Sequence, residues 1–411
     1  MSCYLMSKIK YFTDRMLISN LPPNLVDIIF QKGLVTAGGS KVSFCGMILL
    51  RDYTAVFFPR STDLSKLQGE LGHNESKQLV KALRKYVDNN RSSIGNDENI
   101  HTLNGFNLLS LYEWFLEDYI NYGLYFRRDK KRITNGSSID WNKTINTEIP
   151  HIVDNSPVYL ITHGLSNTTN SQGIIARIHC SIVKYIYERI EFILDKIGLP
   201  ELDDYPLEKS FFNEIRSYVL TELREAYSER DILLLKNILR FLEQEESIYA
   251  GNTMIGVQYF QYAWEFMLSE ILLDRINVHH LFPVPRYVHM DGSESIDKRR
   301  SLRTDIVIKN EENKTVSIID AKYYEASEVY NSPSWPDILK QLYYAKFLTP
   351  HYMKYNIENY FLFPGQVSKF SQINIEDHEP IKCIYIDPIR VLTYFLINKN
   401  ISFNEMYTSH I

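Results

Sequence analysis

The sequence contains no run of about 18 uninterrupted apolar residues, the minimum for a helical membrane span, so no membrane-spanning helix is expected. Its first residues, MSCYLMSKIKYFTDRM, lack the apolar stretch and small-residue cleavage site of a secretion signal. Cysteine is scarce: Cys3, Cys45, Cys180 and Cys383 lie far apart with no CxxC pair, which leaves neither a disulfide framework nor a zinc site and reads as reduced thiols in the cytoplasm. There is no GxSxG elbow and no HExxH, and the one adjacent histidine pair, His279-His280, reads as a loop feature, so serine hydrolase and zinc protease chemistry are both unsupported. The glycine-rich stretch GLVTAGGSK (33–41) misses the phosphate-loop order, because Ser40 stands where lysine is required after Gly39; it reads as a turn. Positive charge is not in excess either. With 45 Lys+Arg against 50 Asp+Glu the net charge is −5, so any contact with nucleic acid must come from a local patch.

What is present is ordinary globular material. The 411 residues are 45% apolar and 23% charged, enough for two or three domains at about 150 residues each. Residues 42–59 read as two short strands around Arg51-Asp52, and 76–90 and 106–122 read as helices. The polar stretch TNGSSIDWNKT (134–144) reads as a loop. Isoleucines 174, 178, 182, 186, 190, 193 and 197 recur at helical spacing before Gly198 and Pro200, which predicts a helix over 173–197. Another helical stretch covers 207–246 with a break near Ser228, and a third, about 257–274, carries Val257, Phe260, Trp264, Leu268 and Ile271 on one stripe. Strand-like RTDIVIK and TVSIIDAKYY follow, then a helix at 336–348, the strands IENYFLFP and KCIYIDP, and a last helix from about 387. The expected fold is α/β, with a mixed central sheet flanked by helices at the C-terminus. The expected organisation is a β-rich N-terminal region (1–165) contacting a partner or DNA, a helical region (166–250) and a C-terminal domain (251–411).

One segment carries chemistry. The strand TVSIIDAK ends on Asp320 and Lys322, which share a face because side chains alternate along a strand. If the hairpin loop before it holds an even number of residues, 311–312 or 311–314, parity brings Asp305 to that same face. Two carboxylates converging on one point repel each other unless a cation lies between them. Oxygen ligands of this kind suit Mg²⁺, which polarises phosphate oxygens and acidifies bound water. Lys322 beside them can orient that water or stabilise charge on a phosphorane-like transition state. Arg299, Arg300 and Arg303 immediately precede Asp305 and can lie along a phosphate path. Read without chemistry, the same Asp320 and Lys322 are an exposed ion pair at a sheet edge.

Asp305, followed fifteen residues later by Asp320-Ala321-Lys322, resembles the PD-(D/E)XK nuclease signature, with Thr304-Asp305 in place of Pro-Asp. The resemblance implies roles for Glu265 in YAWEFML as an auxiliary acid and a third metal ligand beside Asp305 and Asp320, and for Gln341 and Tyr344 in DILKQLYYAKF near the lysine and the scissile strand. IDWNKTINTEIP (139–150), IARIHCSIVKYI and AVFFPR further resemble the LlaJI type of restriction endonuclease, a relative of the McrC nuclease subunit. That implies Mg²⁺-dependent cleavage of double-stranded DNA in a restriction system, with Mn²⁺ as a substitute metal and an AAA+ GTPase of the McrB type as partner. Duplex cutting needs two active sites, which leaves room for a homodimer. Two alternatives stay open at this point: a catalytically silent nuclease-fold subunit that binds DNA or scaffolds an NTPase, and a recombination or repair nuclease of the same superfamily.

Overall fold

The computed structural model describes residues 8–50, 53–91, 105–135, 138–170, 173–194, 197–249, 253–297 and 301–408. The chain forms two compact units whose membership does not follow sequence order: Met1–Phe106, Phe192–Leu194 and Asn252–Ile411 make the first, and Asn107–Glu191 with Asp195–Gly251 the second. One sheet accounts for the discontinuous make-up of the first unit. Strands Lys8–Thr13, Tyr53–Phe58, Cys45–Leu49 and Thr253–Val257 pair in that spatial order, so the fourth strand enters from the far end of the chain.

Every residue of Cys45–Leu49, Tyr53–Phe58 and Thr253–Val257 is buried, which is why these runs read as continuously apolar and not alternating. Gly46 faces Gly256 across the ladder, and a Cβ on either would lie 2.2 Å from a backbone oxygen of the opposite strand. Only glycine permits that approach. Val257 therefore belongs to a strand and not to the helix expected over 257–274, which spans Gln261–Ile271 and buries Ala263, Trp264, Met267, Leu268 and Ile271. The Arg51-Asp52 turn lies outside the described residues.

The first unit also holds a five-stranded mixed sheet in the order Ile306–Asn310, Thr315–Ala321, Asn356–Pro364, Ile381–Ile386, Gln372–Ile373. Its outer pairs are antiparallel and its two inner pairs parallel. Helix Trp335–Leu348 makes the crossover that a parallel pair requires. It packs Tyr344 and Leu348 on Val316 and Ile318, and Ile338 in a cluster with Phe361, Phe363 and Tyr385. Tyr323, of opposite parity to Asp320 and Lys322, instead meets Phe260 and Trp264. Helices Gly69–Arg91, Gln261–Ile271 and Pro388–Leu396 are joined by the ring contacts Tyr86–Phe266 and Phe266–Phe395.

The second unit contains most of helix Gly105–Tyr122, then Trp141–Thr147, Ile174–Ile190, Phe212–Glu225 and Glu229–Tyr249. The 134–144 loop expectation is corrected here: strand Ser138–Ile139 and helix Trp141–Thr147 occupy it, because Asp140 caps the helix by accepting from the Lys143 backbone N–H at 3.1 Å. The isoleucine-rich helix stops at Ile190 and passes into a 3₁₀ turn, Glu191–Ile193, short of the expected 197. Glu245, 1% exposed, accepts a hydrogen bond from the Tyr112 hydroxyl at 2.6 Å and another from the Tyr185 hydroxyl. Among the described residues no helix is long and apolar enough to cross a membrane.

Candidate active site

The hairpin that carries the acids has a four-residue loop, 311–314, with Lys314 in the left-handed region at φ 50°. Its register pairs Asn310 with Thr315 and Ile306 with Ile319, so the next step outward sets Asp305 opposite Asp320. The even-loop expectation holds. Asp305 Oδ2 accepts from the Ala321 backbone N–H at 2.9 Å, which anchors the first carboxylate to the strand that bears the second.

A cavity of about 380 Å³ opens at this end of the hairpin. Asp305, Asp320, Lys322, Glu265, Arg303 and Tyr344 all line it, and so do Arg15, Gln261 and Lys340. Gln341 does not line it. It is fully buried one helical turn from Asp337 and Tyr344, and neither of its amide atoms has a hydrogen-bond partner. Tyr344 is 5% exposed and donates its hydroxyl to the Arg303 carbonyl at 2.6 Å, so it steadies the residue two before Asp305. Arg299 and Arg300 lie outside the described residues; Arg303 is exposed at the cavity.

Lys322 is held from two sides. Its Nζ lies 2.9 Å from Asp320 Oδ2 and donates to Asp337 Oδ1 at 2.7 Å. Asp337 is itself fixed by a capping box, its Oδ2 accepting from the Ser334 backbone N–H at 3.1 Å and hydroxyl at 2.7 Å. Sequence reasoning missed Asp337, although Ser334-x-x-Asp337 ahead of a helix was its signal. Arg15, Gln261 and Lys340 were missed as well, and Arg15 has no signal in linear order.

The electrostatics follow from this crowding. Burial pushes the Glu265 carboxyl up to about 7, helped by the Asp320 charge and opposed by Lys322. Asp305 is raised too, by the protein packed around it and by the like charge of Asp320. Burial disfavours the Lys322 ammonium, yet the Asp320 and Asp337 carboxylates outweigh it and hold its pKa above the usual lysine range. Lys322 is thus a permanent cation near neutral pH.

The donor set fits a hard divalent cation in a particular way. Asp305 and Asp320 face each other, and buried Asp320 Oδ2 has no aligned hydrogen-bond donor. Among the described residues no group of three or more His, Cys, Asp or Glu is placed to close around an ion. The fit is therefore to a metal taken by two carboxylates with water completing the shell, the usual manner of Mg²⁺.

Comparison with known proteins places the chain in a family. The model of the LlaJI restriction endonuclease family matches residues 44–397. A component of the type II restriction enzyme BsuMI, YdjA of Bacillus subtilis (strain 168), is 24% identical over 288 residues, covering 66% of this chain; the match spans only 62% of that relative's length. Among solved structures, the half-complex of Thermococcus gammatolerans McrB AAA+ hexamers with bound McrC aligns over 95% of this chain and 99% of the other at 11% identity. Its TM-score of 0.33 is too low to carry an argument about fold or assembly.

Proposed function

The chain belongs to the LlaJI restriction endonuclease family, and we propose that it is a Mg²⁺-dependent endodeoxyribonuclease of the PD-(D/E)XK type that hydrolyses phosphodiester bonds of double-stranded DNA in a restriction system. The observation that carries this reading is the opposition of Asp305 and Asp320 across one hairpin with Lys322 beside them in an open cavity. Bound Mg²⁺ supplies Lewis-acid polarisation of a phosphate oxygen and a lowered pKa for coordinated water.

The chain's own residues do the rest. Asp305 and Asp320 hold the metal, the first oriented by the Ala321 N–H, with Glu265 as an auxiliary acid on the facing helix. Lys322, an ammonium at neutral pH, orients the attacking water and stabilises negative charge on the phosphate; its raised pKa makes it a poor proton acceptor. Asp337 restrains that ammonium, which limits the reorganisation needed at the moment of reaction. Arg303 contacts the DNA backbone without reading sequence. Buried Gln341 supports the site from the helix interior.

An AAA+ GTPase partner is part of the proposal, since the relative is described as one component of an enzyme and the 33–41 stretch of this chain lacks the phosphate-loop lysine. The test is incubation of the purified protein with plasmid and Mg²⁺, with Mn²⁺ as a second metal, with and without a co-encoded NTPase plus GTP. Cutting is expected, and Asp320→Ala or Lys322→Ala should abolish it with no fall in melting temperature. Full cleavage by either folded variant contradicts the assignment, and no cutting under any arm indicates a silent scaffold subunit.

A further inference from the structure

Arg15 lies in the turn that follows strand Lys8–Thr13 of the N-terminal sheet, some 290 residues before Asp305, yet it lines the same cavity as Asp305, Asp320 and Lys322. Its backbone sits at φ +64°, a conformation that costs a non-glycine residue roughly 1 kcal/mol or more and that the surroundings must impose. They do so directly. Asp14, 1% exposed, accepts from the backbone N–H groups of Arg15 at 2.9 Å and Phe44 at 3.1 Å, and the Arg15 N–H also reaches the Val42 carbonyl at 3.1 Å.

The guanidinium does not then turn back onto its neighbour. Asp14 Oδ2 is buried without a hydrogen-bond partner, and Arg15 Nε stands 3.7 Å from it, beyond hydrogen-bond length. Instead Nη2 donates to Gln261 Oε1 at 2.8 Å, one turn before Glu265 on the same helix, and Nη1 has no acceptor among the described residues. The side chain is 18% exposed. Asp14 holds the guanidinium at ion-pair distance while Gln261 binds it on the cavity side, on the helix that bears Glu265.

We propose that Arg15 is a phosphate-binding residue of the nuclease site, gripping a backbone phosphate of the DNA strand beside the one being cut. This rests on the nuclease reading above and gives the N-terminal sheet a part in substrate binding. A guanidinium suits the task because its forked donors match phosphate oxygens and its charge is independent of pH.

Arg15→Asn is the informative variant, since asparagine tolerates the left-handed backbone while removing the cation. Cleavage of a duplex should fall by on the order of 10²-fold, with partial recovery in Arg15→Lys. The slope of log affinity for duplex DNA against log salt should become shallower by about one. Duplexes carrying a single neutral methylphosphonate should show one position near the cut where wild type slows and Arg15→Asn does not change further. Wild-type cleavage and an unchanged salt slope in folded Arg15→Asn, or unaltered sensitivity at every phosphate, would overturn the proposal. Should Arg15→Asn not melt cooperatively, Gln261→Ala with Arg15 intact takes its place, releasing the guanidinium from its brace; an unchanged methylphosphonate profile there counts against the proposal. If the wild type cuts nothing, the nuclease reading fails, and the salt slope of binding still decides the role of Arg15.

Discussion

Glu245 and the acids of the candidate site are set in the protein in opposite ways. Glu245 in the second unit is enclosed and satisfied, each oxygen taking a tyrosine hydroxyl. Asp305, Asp320 and Glu265 in the first unit line an open cavity, where burial and the Asp320 charge raise the Asp305 and Glu265 pKa values and Lys322 is the only cation within 3 Å of Asp320 among the described residues. A satisfied acid stiffens a scaffold; an unsatisfied group of acids stores unfavourable energy that a ligand can relieve.

Charge removal at each set sharpens the contrast. Asp305→Asn is expected to lower Mg²⁺-dependent cleavage by about 10³-fold or more, while its melting temperature holds or rises, as followed by gel assay and calorimetry on one preparation. Glu245→Leu should do the reverse: about 2–4 kcal/mol of stability is lost because two tyrosine hydroxyls lose their acceptor, but the rate per folded molecule stays at the wild-type level. If both variants cut normally, or both merely unfold, the distinction collapses.

Asp337→Asn tests whether restraint of Lys322 matters apart from its presence. Cleavage should drop about 10-fold with a loss near 1 kcal/mol from the weakened cap; an unaltered rate would make Asp337 a cap and nothing more.

The smallest expected effect is on pH dependence. Glu265 titrates near 7 in the folded state against an ordinary value of 4.5, so the folded protein binds more protons than the unfolded chain between those values. Stability therefore falls as pH rises from 4.5 to 7. Glu265→Gln removes that fall, and in metal-free protein it should be more stable than wild type by about 1–2 kcal/mol at pH 8, after allowance for screening, and no more stable at pH 4. Chemical denaturation at the two pH values checks this. Mg²⁺ uptake by the wild type should release protons near pH 7, and less in the variant.

The hairpin was legible in the sequence because its geometry is local: an even loop and period-two alternation place Asp305 against Asp320 whatever the rest of the chain does. The strands and helices after residue 300 were legible for a related reason, since apolar runs alternate with helical stretches there. Val257 was misread because Val257, Phe260 and Trp264 also fit helical spacing, and a short apolar run does not by itself distinguish strand from helix. Arg15 and the Gly46–Gly256 contact were invisible, since they depend on a strand pairing across more than two hundred residues. Lys322 was identified but its restraint was not, because Asp337 lies on a helix that only tertiary packing brings back over the sheet.

The glycine-to-glycine crossing of Cys45–Leu49 with Thr253–Val257 also sets an order of events during synthesis. A ribosome releasing 5–20 residues per second must extrude the chain well past residue 257 before the first sheet can close, and past 337 before the lysine acquires its second anchor. The candidate site thus assembles only after residue 337 has left the ribosome, and a product truncated before residue 305 carries one wall of it without Asp305 and Asp320.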